Sequence, residues 1–294
     1  MSALVNALYN SESIQQWQHE RTMLHSSGIW GRKPVLEYLA DKIVKAGDVV
    51  IDLGAGAGYP TLRIAGLTGA AGTVIGIELS DAMLEAARSH CRAANLSFRR
   101  GDIAQRLPLE DECADVVTGF MVLHNLHRAE MCRTLSEVER VLKPSGRAVF
   151  LTMHPDAFES QWDLQFLSYD LERYSDAVDK EDTKVLGRAR NIAGGENAIT
   201  TIYHSRGSVV EAISDAGLVL TDERDLWIDL ETAAQMFGNG SIRRMPTTPT
   251  YWVLTLVKFG MVANGHADAV LLDSFISAYQ TAVSERQTAF ESSP

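Results

Sequence analysis

Apolar, β-branched runs that alternate with stretches of helical spacing predict an α/β chain with a doubly wound, mostly parallel sheet. Two further observations support this class. Residues 49–60 read VVIDLGAGAGYP, an apolar run closed by Asp52, then glycines at positions 54, 56 and 58, then a helical start. Acids also stand at the ends of three successive predicted strands, at Asp52, Glu78 and Asp102. In doubly wound sheets ligands sit beyond the carboxyl ends of the strands, where these acids fall.

Taken in order, residues 1–30 carry a helical pattern, with Leu4, Val5 and Leu8 on one face and a capping box at Ser13–Gln16. Trp17, His19, Trp30 and Arg32 suit either a helix packed on the surface or a lid over a ligand. Val35-Leu36, Leu39-Ala40 and Ile43-Val44 form an amphipathic helix ended by Gly47. After the opening strand, Thr73–Glu78 is a second strand, Asp81–Ala94 a helix, and Phe98–Arg100 a short third strand before Gly101-Asp102-Ile103. Ala114–Gly119 is a fourth strand. Met131, Leu135, Val138 and Leu142 mark the next helix, Pro144-Ser145-Gly146 a turn, and Ala148–Thr152 a fifth strand. Residues 155–200 break the alternation. Phe158, Trp162 and Phe166 are spaced by four, and so long a connection predicts an inserted helical subdomain. The core pattern resumes at Ile199, with a helix through Val209, Val210 and Ile213, a strand from Leu218 and a final strand over Thr250–Phe259. Leu272, Phe275, Tyr279 and Val283 trace an apolar stripe on a terminal helix, which suits either a homodimer contact or a cap on its own domain.

Composition narrows the function classes. The chain has 294 residues, 27 Lys and Arg against 38 Asp and Glu, and a formal charge of -11. An acidic balance argues against nucleic-acid binding, which needs clustered basic residues, and Arg99-Arg100 and Arg243-Arg244 are only pairs. Cys91, Cys113 and Cys132 lack metal-ligand or CxxC spacing and read as reduced thiols, so no metal is expected. No basic run followed by an apolar segment opens the chain, and no stretch reaches about 18 unbroken apolar residues. The expectation is a cytoplasmic protein with no membrane and no nucleic-acid partner.

Two kinds of ligand compete for the glycine turn. A dinucleotide site wants G-x-G-x-x-G with a pyrophosphate on the helix N-terminus. Here the pattern is G-x-G-x-G, with Tyr59 where the last spaced glycine is needed, and Asp52 would repel a pyrophosphate. An acid before the turn suits a ligand with cationic groups, such as the ammonium and sulfonium of S-adenosylmethionine (SAM). Glu78 suits ribose hydroxyls, a property that nicotinamide sites share.

DLGAGAG (Asp52–Gly58), Glu78 followed by Leu79-Ser80 and Met83-Leu84, GDI (Gly101–Ile103), VLHNL (Val122–Leu126) and EVERVLKPSG (Glu137–Gly146) stand in order along the chain. Together they resemble class I SAM-dependent methyltransferases, most closely the small-molecule branch of quinone-biosynthesis and natural-product tailoring enzymes. The resemblance is dense over residues 32–153 and looser over 199–259. It implies a seven-stranded Rossmann-like methyltransferase sheet with N-terminal helices and an inserted helical lid. It divides the chain into an N-terminal lid (1–31), a SAM-binding core (32–154), the inserted subdomain (155–198), the rest of the core sheet (199–260) and a terminal helix with tail (261–294). It places Asp52, Gly54, Gly56 and Gly58 at the methionine end of SAM, Glu78 at the ribose, and Asp102 with Ile103 at the adenine. Leu79 and Met83 then flank the adenosine, Phe120 lies near the sulfonium, and Arg32 joins the cofactor-binding set.

The acceptor side follows less directly. Methyl transfer is an in-line displacement in which alignment supplies most of the rate, and a base is needed only where the acceptor must lose a proton. His124, His127, His154 and His204 are candidates. Positions after the fourth and fifth strands flank the acceptor in related enzymes, which favours His124 and His154 as catalytic, while His127 falls at a helix start. Trp17, Trp162, Tyr203, His204 and Arg206 are expected to line the acceptor. The chain lacks an Asn-Pro-Pro-aromatic motif after the fourth strand and a Pro-Cys pair, which disfavours amino-purine, glutamine and cytosine C5 methylation. The expected function is transfer of a methyl group from SAM to an O, N or C atom of a small, fairly apolar metabolite. The alternatives are a SAM-binding cyclase or binding module, a methyltransferase acting on a macromolecule, and a nicotinamide-dependent oxidoreductase.

Overall fold

The computed structural model describes residues 32–159, 169–170, 181–190, 196–227 and 249–263. Helix α1 (Arg32–Tyr38) passes into a π-helical turn at Leu39–Ile43. Next come β1 (Val49–Leu53), α2 (Tyr59–Thr68), β2 (Thr73–Glu78), α3 (Asp81–His90), β3 (Leu96–Arg100), β4 (Ala114–Phe120), α4 (Arg128–Val141) and β5 (Leu142–Met153). Then follow α5 (Pro155–Glu159), β6 (Tyr169–Asp170), β7 (Thr183–Arg190), β8 (Glu196–Tyr203), α6 (Arg206–Asp215), β9 (Leu218–Leu226), β10 (Tyr251–Lys258) and α7 (Phe259–Ala263).

Seven strands form one sheet in the order β3-β2-β1-β4-β5-β10-β9. The pairs from β3 to β5 are parallel, and β10 runs antiparallel to both β5 and β9. Strand order reverses at β1, which lies between β2 and β4, so the carboxyl ends of β1 and β4 form the switch point where such sheets bind ligands.

Local sequence accounts for the helix starts. Gly58 precedes α2 in the left-handed conformation at φ 85°, and Pro60 occupies the first turn, where a missing N–H costs nothing. Ser80 caps α3 by accepting the Met83 N–H, and Ser205 caps α6 by accepting the Ser208 N–H. At α4 the Glu130 carboxylate accepts the His127 N–H, so His127 is the cap residue its position suggested. Met131, Leu135 and Val138 are fully buried along one face of α4, as their spacing predicts. Leu142, expected to extend that face, instead opens β5. The pairing with β4 jumps from Leu142 to Arg147, so residues 143–146 bulge where the sequence predicts a turn.

The inserted segment differs from the helical expectation. Among the described residues between 155 and 203, helix covers Pro155–Glu159, while β6, β7 and β8 form a separate antiparallel sheet. The cause is legible afterwards: Thr183, Val185, Ile199, Thr200, Thr201 and Ile202 are β-branched, and side-chain stiffness favours strands. β8 therefore belongs to this second sheet and not to the resumed core, which restarts at β9. The predicted N-terminal lid with Trp17, the aromatic Trp162 and the terminal helix lie outside the described residues. Among the described residues no helix is long and apolar enough to cross a membrane.

Close packing fixes the β4–β5 pair. Gly119 stands opposite Phe150, and a Cβ on it would lie 2.6 Å from the Phe150 ring. Gly119→Ala should lower the unfolding free energy by about 1–3 kcal/mol in urea titration, as overpacking does. An unchanged midpoint would mean that Phe150 moves aside at no cost.

Candidate functional site

The three glycines after β1 all adopt positive φ, at 66° for Gly54, 55° for Gly56 and 85° for Gly58. Two of them are also closed in by neighbours. A Cβ on Gly54 would lie 2.3 Å from Val122 Cγ1, and one on Gly58 would lie 2.7 Å from the Phe98 ring. Gly56 is different, because a Cβ there would meet nothing within 4 Å. Its backbone faces open space, and a ligand can approach it closely.

Glu78 holds this turn from the neighbouring strand. Its Oε2 accepts the Gly56 N–H at 2.9 Å, and its Oε1 accepts the N–H groups of Leu79 and Ser80 at 2.8 Å each. Burial raises its pKa above the usual glutamate value, and the three amide bonds pull against that rise. A carboxylate has about four lone-pair sites, so capacity remains for a hydroxyl donor. Gly101 follows β3 and donates its N–H to the Glu78 carbonyl at 3.0 Å, which brings the third acid to the same edge. Asp102 accepts the Ala104 N–H at 3.0 Å, a local turn that leaves its second oxygen outside that bond. Ile103 is partly buried against the core, Leu79 is partly buried, and Phe120 is buried at the end of β4. Met83 is fully enclosed within the fold. Arg32 is the first residue of α1.

Asp52 departs from the expected contact with a cationic ligand. It is 2% exposed, and its oxygens accept the hydroxyls of Thr61 at 2.6 Å and Thr118 at 2.8 Å. The carboxylate thus ties β1 to α2 and to β4, and it acts on the ligand edge by fixing where the glycine turn leaves the sheet. Thr61 and Thr118 went unnoticed in the sequence, where a lone threonine carries no signal of its partner.

On the β4–β5 side, Met121 adopts φ 62° and donates its N–H to Leu151 O at 2.6 Å, while the Asn125 side chain donates to Met121 O at 3.0 Å. A non-glycine residue in this region is strained, and here two hydrogen bonds hold it beside the switch point. His124 lies in the short 3-10 turn Leu123–Asn125, with Nδ1 3.2 Å from Thr152 Oγ1. His154 is placed differently from expectation. It is 2% exposed, its Nδ1 accepts the Asp156 N–H, and its Nε2 therefore carries the proton it shares with Asp225 at 3.1 Å. Its ring also meets Trp252 edge-on. Both nitrogens are engaged, so His154 pins β5 to β9 and offers no base to an acceptor. Its hydrogen bond holds the Asp225 carboxyl below the usual range, against the opposing effect of burial.

The expected acceptor-lining residues are only partly gathered. Tyr203 is buried at the end of β8, and His204 is buried beside it, touching Leu126 after β4. Arg206 is half-exposed, lies over the Trp252 ring at 5.3 Å and pairs with Glu223.

Residues 44–202 match the family model described as a methyltransferase domain. The chain belongs to this methyltransferase domain family. It is 38% identical over 112 residues to the demethylmenaquinone methyltransferase of Lactobacillus johnsonii, covering 37% of this chain and 45% of that one. It is 34% identical over 114 residues to the 2-phytyl-1,4-naphtoquinone methyltransferase of Trichormus variabilis, covering 37% of this chain and 48% of that one. The match thus spans about half the length of these curated relatives. The fold is also that of an S-adenosylmethionine dependent methyltransferase from Mesorhizobium loti, with TM-score 0.51 and 18% identity over 76% of this chain and 95% of that one. The methyltransferase domain match takes in β1 to β5 and runs into β8, as far as residue 202.

Within this methyltransferase domain, Thr118→Val removes one hydroxyl donor from a buried carboxylate while keeping the side chain's shape. Denaturant unfolding should show a loss of about 1–3 kcal/mol. A neutral result would mean that Asp52 is satisfied without Thr118.

Proposed function

We propose that this chain is a SAM-dependent methyltransferase that methylates a small, fairly apolar acceptor of the quinone class. The observation that carries the reading is the Glu78–Gly56 bond at the switch point, which presents a carboxylate and an open glycine backbone side by side. Those groups fit SAM: Glu78 has acceptor capacity for the ribose hydroxyls, Asp102 and Ile103 are at hand for the adenine, and the open face of Gly56 admits the methionine portion. SAM supplies a methyl group already activated on a sulfonium, so the chain's task is alignment and exclusion of water. Phe120 and the strained Met121 wall the side toward β4. His124, oriented by Thr152, is placed to hold a proton from the acceptor. The printed activities of the relatives support a quinone-type acceptor. The net charge of -11 supports a small metabolite over RNA, and a cytoplasmic setting accords with the lack of paired cysteines among the described residues.

Incubation with labelled SAM and a panel of naphthoquinols tests the proposal. Label in the quinol supports it; SAM bound and never turned over points to a binding module, and tight NAD binding without SAM binding to an oxidoreductase. Glu78→Ala should weaken SAM binding by about 1–3 kcal/mol in calorimetry, because a charge-assisted hydrogen bond and the support of Gly56 go together. Unchanged affinity would show that the ribose assignment is wrong. Because burial lifts the Glu78 pKa, its charged form is lost as pH falls through a value above that of an ordinary glutamate. SAM affinity should accordingly decline on acidification earlier than an exposed carboxylate would dictate. His124→Ala should keep SAM affinity and lose about 100-fold or more in turnover; full turnover would move the acceptor elsewhere.

A further inference from the structure

His204 ends the second sheet. It follows β8 directly and precedes α6, with its side chain 4% exposed. Nε2 lies 2.7 Å from the carbonyl oxygen of Leu126, and Nδ1 lies 2.6 Å from Oε1 of Glu181. A carbonyl oxygen can only accept. The Glu181 carboxyl is held below its usual range: burial raises it, but the Ser205 N–H and the His204 ring more than offset that. It too can only accept. A neutral imidazole has one N–H and satisfies one of these partners, leaving a bare nitrogen against the other oxygen.

We propose that His204 is an imidazolium clamp that positions the segment after β4. The ring joins Leu126, at the end of the stretch that carries His124, to Glu181, at the base of β7. It is a positioning residue, a different role from the acceptor lining that the sequence suggests. The surrounding charges are arranged about the same joint. Asp182 contacts His127 Nδ1 at 2.9 Å and accepts the Arg128 N–H at 2.9 Å. Arg128 in turn reaches the Ser208 hydroxyl at 2.6 Å, Glu211 at 3.2 Å and Asp215 at 3.6 Å on α6. On the far side Arg206 is taken up by Glu223. Glu181 is thus the carboxylate left to face the His204 ring directly.

The clamp depends on pH through Glu181. On acidification it is lost as Glu181 gains a proton, below the usual glutamate value because that pKa is depressed.

Long-range proton–nitrogen spectra of the histidine rings at neutral pH test the charge. Two protonated nitrogens on His204 are expected, and one bare nitrogen overturns the clamp. Exchange of the Asn125 and Leu126 amides, which bond to Val122 and Leu123 carbonyls, tests the positioning. Their protection should fall about tenfold or more as pH falls through the depressed Glu181 value. Glu181→Gln supplies an amide N–H to Nδ1, so a neutral ring then satisfies both partners. In that variant protection should persist across the same range, and a profile identical to the parent's overturns the proposal. The effect on turnover alone rests on the methyl-transfer reading. A diprotonated ring with pH-dependent protection, in a chain that methylates nothing, would sustain the clamp while removing that reading.

Discussion

A carboxylate buried within a parallel sheet governs the geometry of this site. Asp52 stands in register with Thr118 on β4, and Thr61 reaches it from the first turn of α2. A carboxylate taken out of water without such partners costs several kcal/mol and would either gain a proton or pull the strand apart. The two hydroxyls therefore do more than accompany the charge. They require α2 to begin where Thr61 can donate, which sets the length of the connection and leaves room for three glycines with left-handed backbones. The open face at Gly56 is a consequence of that distance as much as of glycine itself.

Glu78 works on the same turn from the end of the neighbouring strand. Asp52 is satisfied by side chains, while Glu78 takes three backbone N–H groups, one of them from the turn. Its own burial opposes its charge, and those amides favour the charged form against that burial. A ligand that brings hydroxyl donors strengthens what the amides already favour. The acid is thus oriented before a ligand arrives, which reduces the ordering needed on binding.

How much of this could be read in the chain divides along sequence distance. The strands β1 to β5, the acids at their ends, the helix face of α4 and the glycine turn are local patterns and were legible. Asp52 was legible as an acid at a strand end, but not as a buried one. Its partners lie 9 and 66 positions away, and hydroxyl residues carry no periodic mark. The engagement of His154 is hidden for the same reason: Asp225, the partner of its Nε2, is 71 positions away. The second sheet is hidden in the sequence because the aromatic spacing at Phe158, Trp162 and Phe166 suggests a helix. The β-branched residues of β7 and β8 mark strands whose pairing lies beyond local pattern. At Leu142–Gly146 the difference is milder, since a turn sequence is absorbed as a bulge inside a longer strand.

The segment from Phe120 to Leu126 joins these observations into one mechanical argument. At its start Val122 fills the space beside Gly54 that a Cβ would need, so the segment and the glycine turn cannot move independently. Met121 is kept in a strained conformation by Leu151 and by Asn125, a residue of the same segment, which makes the bend self-supporting. At its end Leu126 is held by His204 and hence by Glu181. A short stretch fixed at both ends transmits displacement from one end to the other, because close-packed contacts leave little slack. The second sheet therefore has a physical route to the ligand edge of the main sheet, and His124 sits in the middle of it.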